Sequence, residues 1–169
     1  MVRKDIVEIV EDMGKLFKHV GITTNGTFPR KLERMKDAGL THINVSLDSL
    51  VPAKNEFITR RPNTQLKALE SVEKALEIGV KSVKLNVVAM KNFNDDEYAD
   101  FADLTKDREL DVRFIEFMPF SQNDWEKGKF ISQQEILDKI KLHHPLVHAL
   151  GNDSKDSTSR AFKIPGFKG

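Results

Sequence analysis

The sequence contains no cysteine, which excludes disulfide bonds, thiol nucleophiles and thiolate-bound metals within its 169 residues. It has no apolar run near the about 20 residues that a membrane-spanning helix needs, so we expect no membrane partner. Its 27 Lys and Arg residues nearly balance 26 Asp and Glu residues, without the basic excess typical of nucleic-acid-binding proteins. Its start leads directly into an acidic amphipathic helix pattern, and no targeting segment is recognisable. These features predict an ordinary globular protein without a nucleic-acid partner.

Four strand-like runs carry polar residues where a strand buried on both faces should be apolar. An unpaired buried polar group costs about 1–3 kcal/mol, so four repeats of this pattern call for a reason. We infer that the polar positions form a site inside a barrel or cleft. The runs span residues 21–26, 43–48, 83–88 and 112–118.

Helical patterns separate these runs, which predicts an α/β fold with a parallel sheet. Residues 51–62 look irregular or briefly helical, and residues 92–96 offer N-caps for the helix that follows them. We predict a main unit over residues 1–120 and a second region over 121–169, with a polar loop at about 151–159. The predicted helices cover about 6–17, 29–38, 64–78, 97–105 and, capped by Ser132, 133–142.

Polar residues within a run share a face when they are two positions apart. Asn44, Ser46 and Asp48 meet this condition in the second run. Lys84 and Asn86 meet it in the third run, opposite the apolar positions 83, 85 and 87. A solvent-facing edge strand would show the same pattern, but four neighbouring runs that behave alike favour a site.

Lys84 is costly on an inward face unless an anion or carboxylate meets it. It could bind a phosphate, form a Schiff base, or pair structurally with Glu116 or Asp48. Arg113 could bind a phosphate through two parallel hydrogen bonds, or form a weak surface ion pair with a nearby aspartate. The residues alone leave these alternatives open.

No metal site is expected within this sequence. Its five histidines are not grouped with carboxylates at the spacing of metal ligands, and we interpret them as structural.

Taken together and in this order, the four runs resemble the radical S-adenosylmethionine enzymes of molybdenum cofactor biosynthesis, the GTP 3′,8-cyclases of MoaA type. The resemblance extends over about residues 2–169, and its tail at 162–167 is similar to the animal form. Four segments carry the resemblance: Thr23–Gly26, Ile43–Asp48, Val83–Val88 and Arg113–Phe120.

The resemblance implies a partial TIM-like (β/α)6 barrel, with about four βα units in this chain. It implies that a [4Fe–4S] cluster reductively cleaves S-adenosylmethionine and that the resulting radical abstracts a ribose hydrogen from GTP. A second [4Fe–4S] cluster helps to hold the GTP base. The cyclised product is later converted to cyclic pyranopterin monophosphate by a partner protein.

Site residues follow from the same resemblance, position by position. Ser46 and Met118 correspond to contacts with S-adenosylmethionine, and the contact of Met118 need not involve its side chain. Four residues are implied to bind GTP or to lie beside it: Thr23, Lys84, Asn86 and Arg113.

The cluster ligands depart from the family pattern, because this sequence has no cysteine. The resemblance places the family's Cys-x3-Cys-x2-Cys motif before residue 1 and the cysteines of the second cluster after residue 169. We therefore expect the chain not to catalyse the reaction alone. A homodimer remains an open alternative for the oligomeric state. The resemblance implies a location in the mitochondrial matrix for an animal protein and in the cytosol for a bacterial one.

Two other functions remain as alternatives at this point. The chain could be a non-catalytic regulatory or interaction fragment that competes for the partners of the complete enzyme. It could also be a lyase without clusters in which Lys84 forms a Schiff base. The weakness of the lyase hypothesis is that no base is evident on the face that carries Lys84.

Overall fold

The computed structural model describes residues 3–118, 127–151 and 159–169, and its strands alternate with helices. Residues 119–126 and 152–158 lie outside the described part of the chain, and the second of these ranges holds most of the predicted polar loop. The strands are β1 (Gly21–Thr24), β2 (His42–Ser46), β3 (Ser82–Ala89), β4 (Leu110–Glu116), β5 (His148–Ala149) and β6 (Phe162–Lys163). The α-helices are α1 (Ile6–Leu16), α2 (Leu32–Asp37), α3 (Pro52–Thr59), α4 (Thr64–Glu77), α5 (Tyr98–Asp103) and α6 (Gln133–Lys141), and short 3₁₀ helices cover Pro29–Lys31 and Lys127–Lys129.

Strands β1 to β4 form one parallel sheet in the order β1-β2-β3-β4. This arrangement confirms the predicted α/β class and the four parallel strands of a partial TIM-like fold. Strands β5 and β6 form a separate antiparallel pair. None of the helices within the described residues is long and apolar enough to cross a membrane.

Within the described residues, helices cover one face of the parallel sheet and leave the other uncovered, as the strict alternation of buried and partly buried residues along β3 shows. Val83, Leu85 and Val87 of β3 are buried against the helices, and the residues between them are not. Full burial of each such side chain contributes about 1.5–3 kcal/mol. The polar residues that pair in register with Lys84 and Asn86 therefore lie on the uncovered face, which explains why they are tolerated.

The helices on the covered face use the apolar spacing that the sequence displays. Leu32 and Met35 of α2 and Ala68 and Val72 of α4 belong to the main buried cluster. The Oγ of Ser71 in α4 donates a 2.6 Å hydrogen bond to the carbonyl oxygen of Gly26, which ties α4 to the loop that follows β1.

The segment around α6 packs beside the carboxyl end of β3 through a smaller apolar cluster. Ile136 and Ile140 of α6 lie in this cluster with Ala89 of β3 and Tyr98 of α5. Ser132 caps α6 as predicted, and its hydroxyl accepts from the backbone N–H of Glu135 in a capping box. The cap and the apolar stripe together orient α6 on the main unit.

The structure decides one local prediction and differs from another. The segment predicted to be irregular or briefly helical contains the helix α3, which Pro52 begins and Arg60 ends in a left-handed conformation with φ of 55°. Pro is favoured at the first helical position because its missing N–H has no partner there. Residues 92–96 do not cap α5, since that helix begins after Glu97 and has no side-chain cap. Asn94 instead bonds to the ends of two strands.

Candidate functional site

The register of the parallel sheet brings the polar positions of the four strands into two rows. In the first row, Thr23 lies beside Asn44, Asn44 beside Lys84, and Lys84 beside Asp111. Neighbours in register share a face because each strand alternates with period two. This row therefore crosses all four strands on the uncovered face.

The second row lies two residues nearer the carboxyl ends of the strands. Ser46 pairs in register with Asn86, and Asn86 pairs with Arg113. Ser46 and Arg113 are exposed, whereas Asn86 is partly buried. Active sites of α/β barrels lie at the carboxyl ends of the strands, which is the edge that this row approaches.

The structure thus brings five of the six residues implied by the resemblance onto one polar face. The sixth, Met118, follows β4 by two residues and is 51% exposed at the same edge of the sheet. The five residues that share the face are Thr23, Ser46, Lys84, Asn86 and Arg113.

Lys84 has a carboxylate partner that the sequence prediction missed. Its Nζ lies 2.7 Å from Oδ2 of Asp111, and neither of the predicted partners, Glu116 and Asp48, contacts it. Glu116 instead accepts a hydrogen bond from the backbone N–H of Gln133. The absence of a base beside Lys84 was also predicted wrongly, because Asp111 faces it from the next strand.

Asn86 and Arg113 retain unused hydrogen-bonding capacity. Oδ1 of Asn86 is buried and has no donor among the described residues. The Arg113 guanidinium is exposed and makes no hydrogen bond or ion pair within the described part of the chain, so its donors are available to an anion. A buried polar atom without a partner is uncommon and points to a functional site.

Asn94 supports the strand ends that carry this face. Its Nδ2 donates to the carbonyl oxygens of Asp48 (2.6 Å) and Val88 (2.8 Å), and its Oδ1 accepts from the N–H of Met90 (2.8 Å). Asn94 is fully buried. A single side chain therefore fixes the segment after β2 to the end of β3, where Ser46 and Asn86 are held.

Asp48 joins the same two segments through its carboxylate. Its Oδ1 accepts a 2.9 Å hydrogen bond from the backbone N–H of Val88, which continues the ladder beyond the end of β2. Burial raises the pKa of Asp48 above its ordinary value, although the hydrogen bond from Val88 opposes that shift. Asp48 is thus bonded to the backbone of β3, and its place on the face shared with Ser46 stays a prediction.

Glu97 anchors the segment after Asp48. Its carboxylate accepts hydrogen bonds from the Ser49 hydroxyl at 2.9 Å and from the Leu50 N–H at 2.6 Å, and it lies 3.0 Å from Nζ of Lys54. The side chain of Glu97 is only 4% exposed. A buried carboxylate with this many partners holds its loop rigidly.

A groove of about 440 Å³ opens at the carboxyl end of β1. Asn25 and Phe28 line one side, and Arg61 and Lys67 line the other. A larger depression of about 590 Å³ lies between α1 and α2 and is lined by no strand residue. The smaller groove is therefore the one that adjoins the functional edge of the sheet.

Comparison with known protein families identifies the group to which this arrangement belongs. The Radical SAM superfamily matches residues 1–105, which is more than half of the chain. The chain belongs to the radical SAM superfamily. The match covers β1, β2 and β3, and the four parallel strands are consistent with a partial TIM-like fold.

Curated relatives confirm the narrower resemblance to the GTP 3′,8-cyclases. Molybdenum cofactor biosynthesis protein 1 of Homo sapiens is 45% identical over 172 residues, which cover all of this chain and 27% of that protein. The mitochondrial GTP 3′,8-cyclase of Arabidopsis thaliana is 44% identical over 171 residues, which cover 99% of this chain and 43% of that protein. GTP 3′,8-cyclase of Alkaliphilus oremlandii is 40% identical over 173 residues, which cover all of this chain and 52% of that protein. The chain thus spans about a quarter to a half of the relatives that it matches.

The residues of this chain do not fit an iron–sulfur cluster. Such clusters are held by cysteine thiolates, and the sequence contains none. Nor do histidines and carboxylates within the described ranges 3–118, 127–151 and 159–169 gather into a group of three or more that could hold a metal ion.

Proposed function

We propose that this chain is the nucleotide-binding central part of a GTP 3′,8-cyclase that acts in molybdenum cofactor biosynthesis. One observation carries the proposal. The register of four parallel strands gathers Thr23, Lys84, Asn86 and Arg113 onto one polar face, although they lie far apart in the sequence.

The cations of this face suit a triphosphate. Lys84 and Arg113 lie on adjacent strands and in successive rows, so their side chains reach the same space from two positions. Arg binds phosphate oxygens through parallel N–H donors and Lys as a compact point charge. We assign the phosphates of GTP to these two residues.

The uncharged residues of this face and its edge suit the uncharged parts of GTP and S-adenosylmethionine. The hydroxyl of Thr23, which accepts a long 3.4 Å hydrogen bond from Asn44, can also donate to the substrate. Asn86 lies between Lys84 and Arg113 and borders the substrate. We assign Ser46 and Met118, nearer the carboxyl edge, to S-adenosylmethionine.

The chain's own part in the reaction is therefore binding and orientation. Holding a reactant in one geometry can supply several kcal/mol of a reaction barrier. The cluster chemistry requires cysteines that this sequence lacks, so we expect no turnover from this chain alone. Detection of cyclised GTP from the purified chain, with no other polypeptide present, would contradict this expectation.

The other functional assignments extend the same proposal. The cyclised product passes to a partner that forms cyclic pyranopterin monophosphate, and two copies of the protein associate as a homodimer. The compartment is the mitochondrial matrix if the source is an animal and the cytosol if it is a bacterium. The mitochondrial name of the plant relative supports the first of these locations.

The Schiff-base alternative gains no support from the environment of Lys84. A lysine that forms a Schiff base attacks the carbonyl with its amine, and the Nζ of Lys84 is instead held in a 2.7 Å ion pair with Asp111. Borohydride trapping of a carbonyl compound on Lys84 would revive this alternative. No contact among the described residues favours a purely regulatory role.

The test of the proposal is GTP binding by the 169-residue chain, measured by isothermal titration calorimetry. Lys84→Met and Arg113→Met should each weaken binding on the order of tenfold, as expected for loss of a charge-assisted hydrogen bond. The matched control is Lys18→Met, which removes an equal charge at an exposed position before β1. Equal losses in all three variants, or no binding of GTP by the wild type, would reject the proposal.

A further inference from the structure

Asp111 is the counter-ion of the lysine that we assign to the phosphates. The two residues are directly paired in register on β3 and β4, and Nζ of Lys84 lies 2.7 Å from Oδ2 of Asp111. Lys84 makes no other hydrogen bond or ion pair among the described residues. Its charge is therefore already neutralised before any ligand binds.

The pair is placed so that an anion can break it. The side chain of Lys84 is 22% exposed and that of Asp111 is 56% exposed, so both groups are in contact with solvent. Exposed ion pairs of this kind contribute little to stability and are screened by salt. A phosphate at Lys84 must compete with Asp111 for the single positive charge of the ammonium group, and it is also repelled by the carboxylate.

Arg113 provides the first contact for such an anion. It lies on the same face as Asp111, two residues further along β4, and has no side-chain partner within the described residues. Two residues of a strand span about 6.6 Å, which a polyphosphate can bridge. An anion held first by Arg113 would therefore approach Lys84 from the carboxyl edge and displace Asp111.

We propose that Asp111 is a residue that sets phosphate affinity, because it occupies Lys84 in the free protein and is exchanged for a ligand phosphate on binding. The inference rests on the proposed function for the identity of the ligand as GTP. The exchange itself requires only a polyphosphate. Because the contact between Lys84 and Asp111 is lost on binding and regained on release, the exchange lowers the net affinity for the anion.

The test measures the affinity of the 169-residue chain for inorganic tripolyphosphate and for GTP at low ionic strength. Asp111→Asn should tighten the binding of tripolyphosphate by about fivefold, on the order of the larger couplings measured for exposed charge pairs. The matched control, Asp107→Asn, removes an equal charge in the exposed loop before β4 and should change the affinity less than twofold.

A double-mutant cycle separates exchange at Lys84 from general repulsion. In a Lys84→Met background, Asp111→Asn should tighten binding by less than twofold, because no cation remains to be released. An equal gain in both backgrounds, or unchanged or weaker binding by Asp111→Asn, would overturn the proposal. Asp111→Ala must give the same direction of change as Asp111→Asn.

The two ligands distinguish failure of this inference from failure of the proposed function. If tripolyphosphate follows the expected pattern but GTP does not bind, the exchange is supported and the assignment to GTP is lost. If GTP binds and depends on Lys84 and Arg113 but Asp111→Asn does not tighten tripolyphosphate, the proposed function is retained and the exchange is rejected.

Discussion

Gly26 and Ala68 approach so closely that a Cβ added at residue 26 would lie 2.7 Å from the Cα of Ala68. The backbone of Gly26 also has a φ of 68°, in the left-handed region that favours glycine. The carboxyl end of β1, where Thr23 and Thr24 lie, is thus held against α4 by a contact that no side chain can occupy.

Replacement of Gly26 by Ala should lower the free energy of unfolding by about 3 kcal/mol or more, since steric overlap adds to backbone strain. Urea denaturation followed by circular dichroism measures this loss. Gly79→Ala is the control, because Gly79 has a similar φ of 70° but no atom within 4 Å of the added Cβ. It should cost only the strain, about 1 kcal/mol. Equal losses in both variants would show that the contact with Ala68 is unimportant.

Loss of the Asn94 side chain should destabilise the protein strongly. Asn94→Ala leaves the N–H of Met90 and the carbonyl oxygens of Asp48 and Val88 without their partner. We expect a loss of about 2–4 kcal/mol in the free energy of unfolding, measured by urea denaturation.

The control for Asn94 is Gln134→Ala, which removes an exposed amide whose one hydrogen bond among the described residues goes to Asp138. That change should stay within about 0.5 kcal/mol of the wild type. A small effect of Asn94→Ala would mean that the strand ends are held by other contacts, with Glu97 as the next candidate.

Asp48 should make the protein less stable as its carboxyl group ionises. Because burial raises the pKa in the folded state above 3.8, the stability that this group contributes is fully present below pH 3.8. It is lost as the pH rises through the folded pKa. Asp48→Asn keeps an oxygen for the Val88 N–H and should flatten this part of the pH profile, with higher stability than the wild type at pH 7.

Asp48→Ala separates the charge of Asp48 from its hydrogen bond. It removes the acceptor of the Val88 N–H and should cost about 1–3 kcal/mol at every pH. Thermal denaturation of the three proteins between pH 3 and pH 8 makes the comparison. A wild-type profile that matches that of Asp48→Asn throughout this range would refute the inferred pKa shift.

Glu135 should titrate far below the usual range of a glutamate. The backbone N–H of Ser132 is the main cause, aided by Lys91 and the Ser132 hydroxyl, and together they lower the pKa of Glu135 from 4.5 to about 2. Its contribution to stability is present above pH 4.5 and is lost as the pH falls towards 2. The carboxyl ¹³C shift of Glu135 in an NMR titration reports the pKa, and Ser132→Ala should raise it. A midpoint near pH 4.5 in the wild type would rule out the capping box in solution.

Much of the fold could be predicted because the local signals agreed with one another. Apolar periodicity correctly predicted α1, α4 and α6. The alternating pattern of β3 correctly predicted that Lys84 and Asn86 lie on the same face of the sheet. A capping signal at Ser132 also gave the start of α6. These features depend on neighbours along the chain, which a single sequence displays directly.

Contacts between distant segments were the part that could not be predicted. The partner of Lys84 depends on the register between β3 and β4, which are joined through residues 90–109. Asp111 was a possible partner of Lys84, since it lies two positions before Arg113 and shares its face of β4. A shift of one residue in the register would have moved Asp111 to the other face. Asn94 resembles a helix cap in the sequence, and only the assembled fold shows that two strand ends meet at its amide.

The strict two-residue repeat of β3 also limits how the length of this chain can vary. Deletion or insertion of one residue within the strand would carry Lys84 and Asn86 into the apolar interior and expose Leu85 and Val87 in their place. Deletion or insertion of two residues would leave every side chain on its original face, but it would move Lys84 and Asn86 by one row along the strand. Inside the strands, length can therefore change only in even steps, whereas the loops between them can absorb any number of residues.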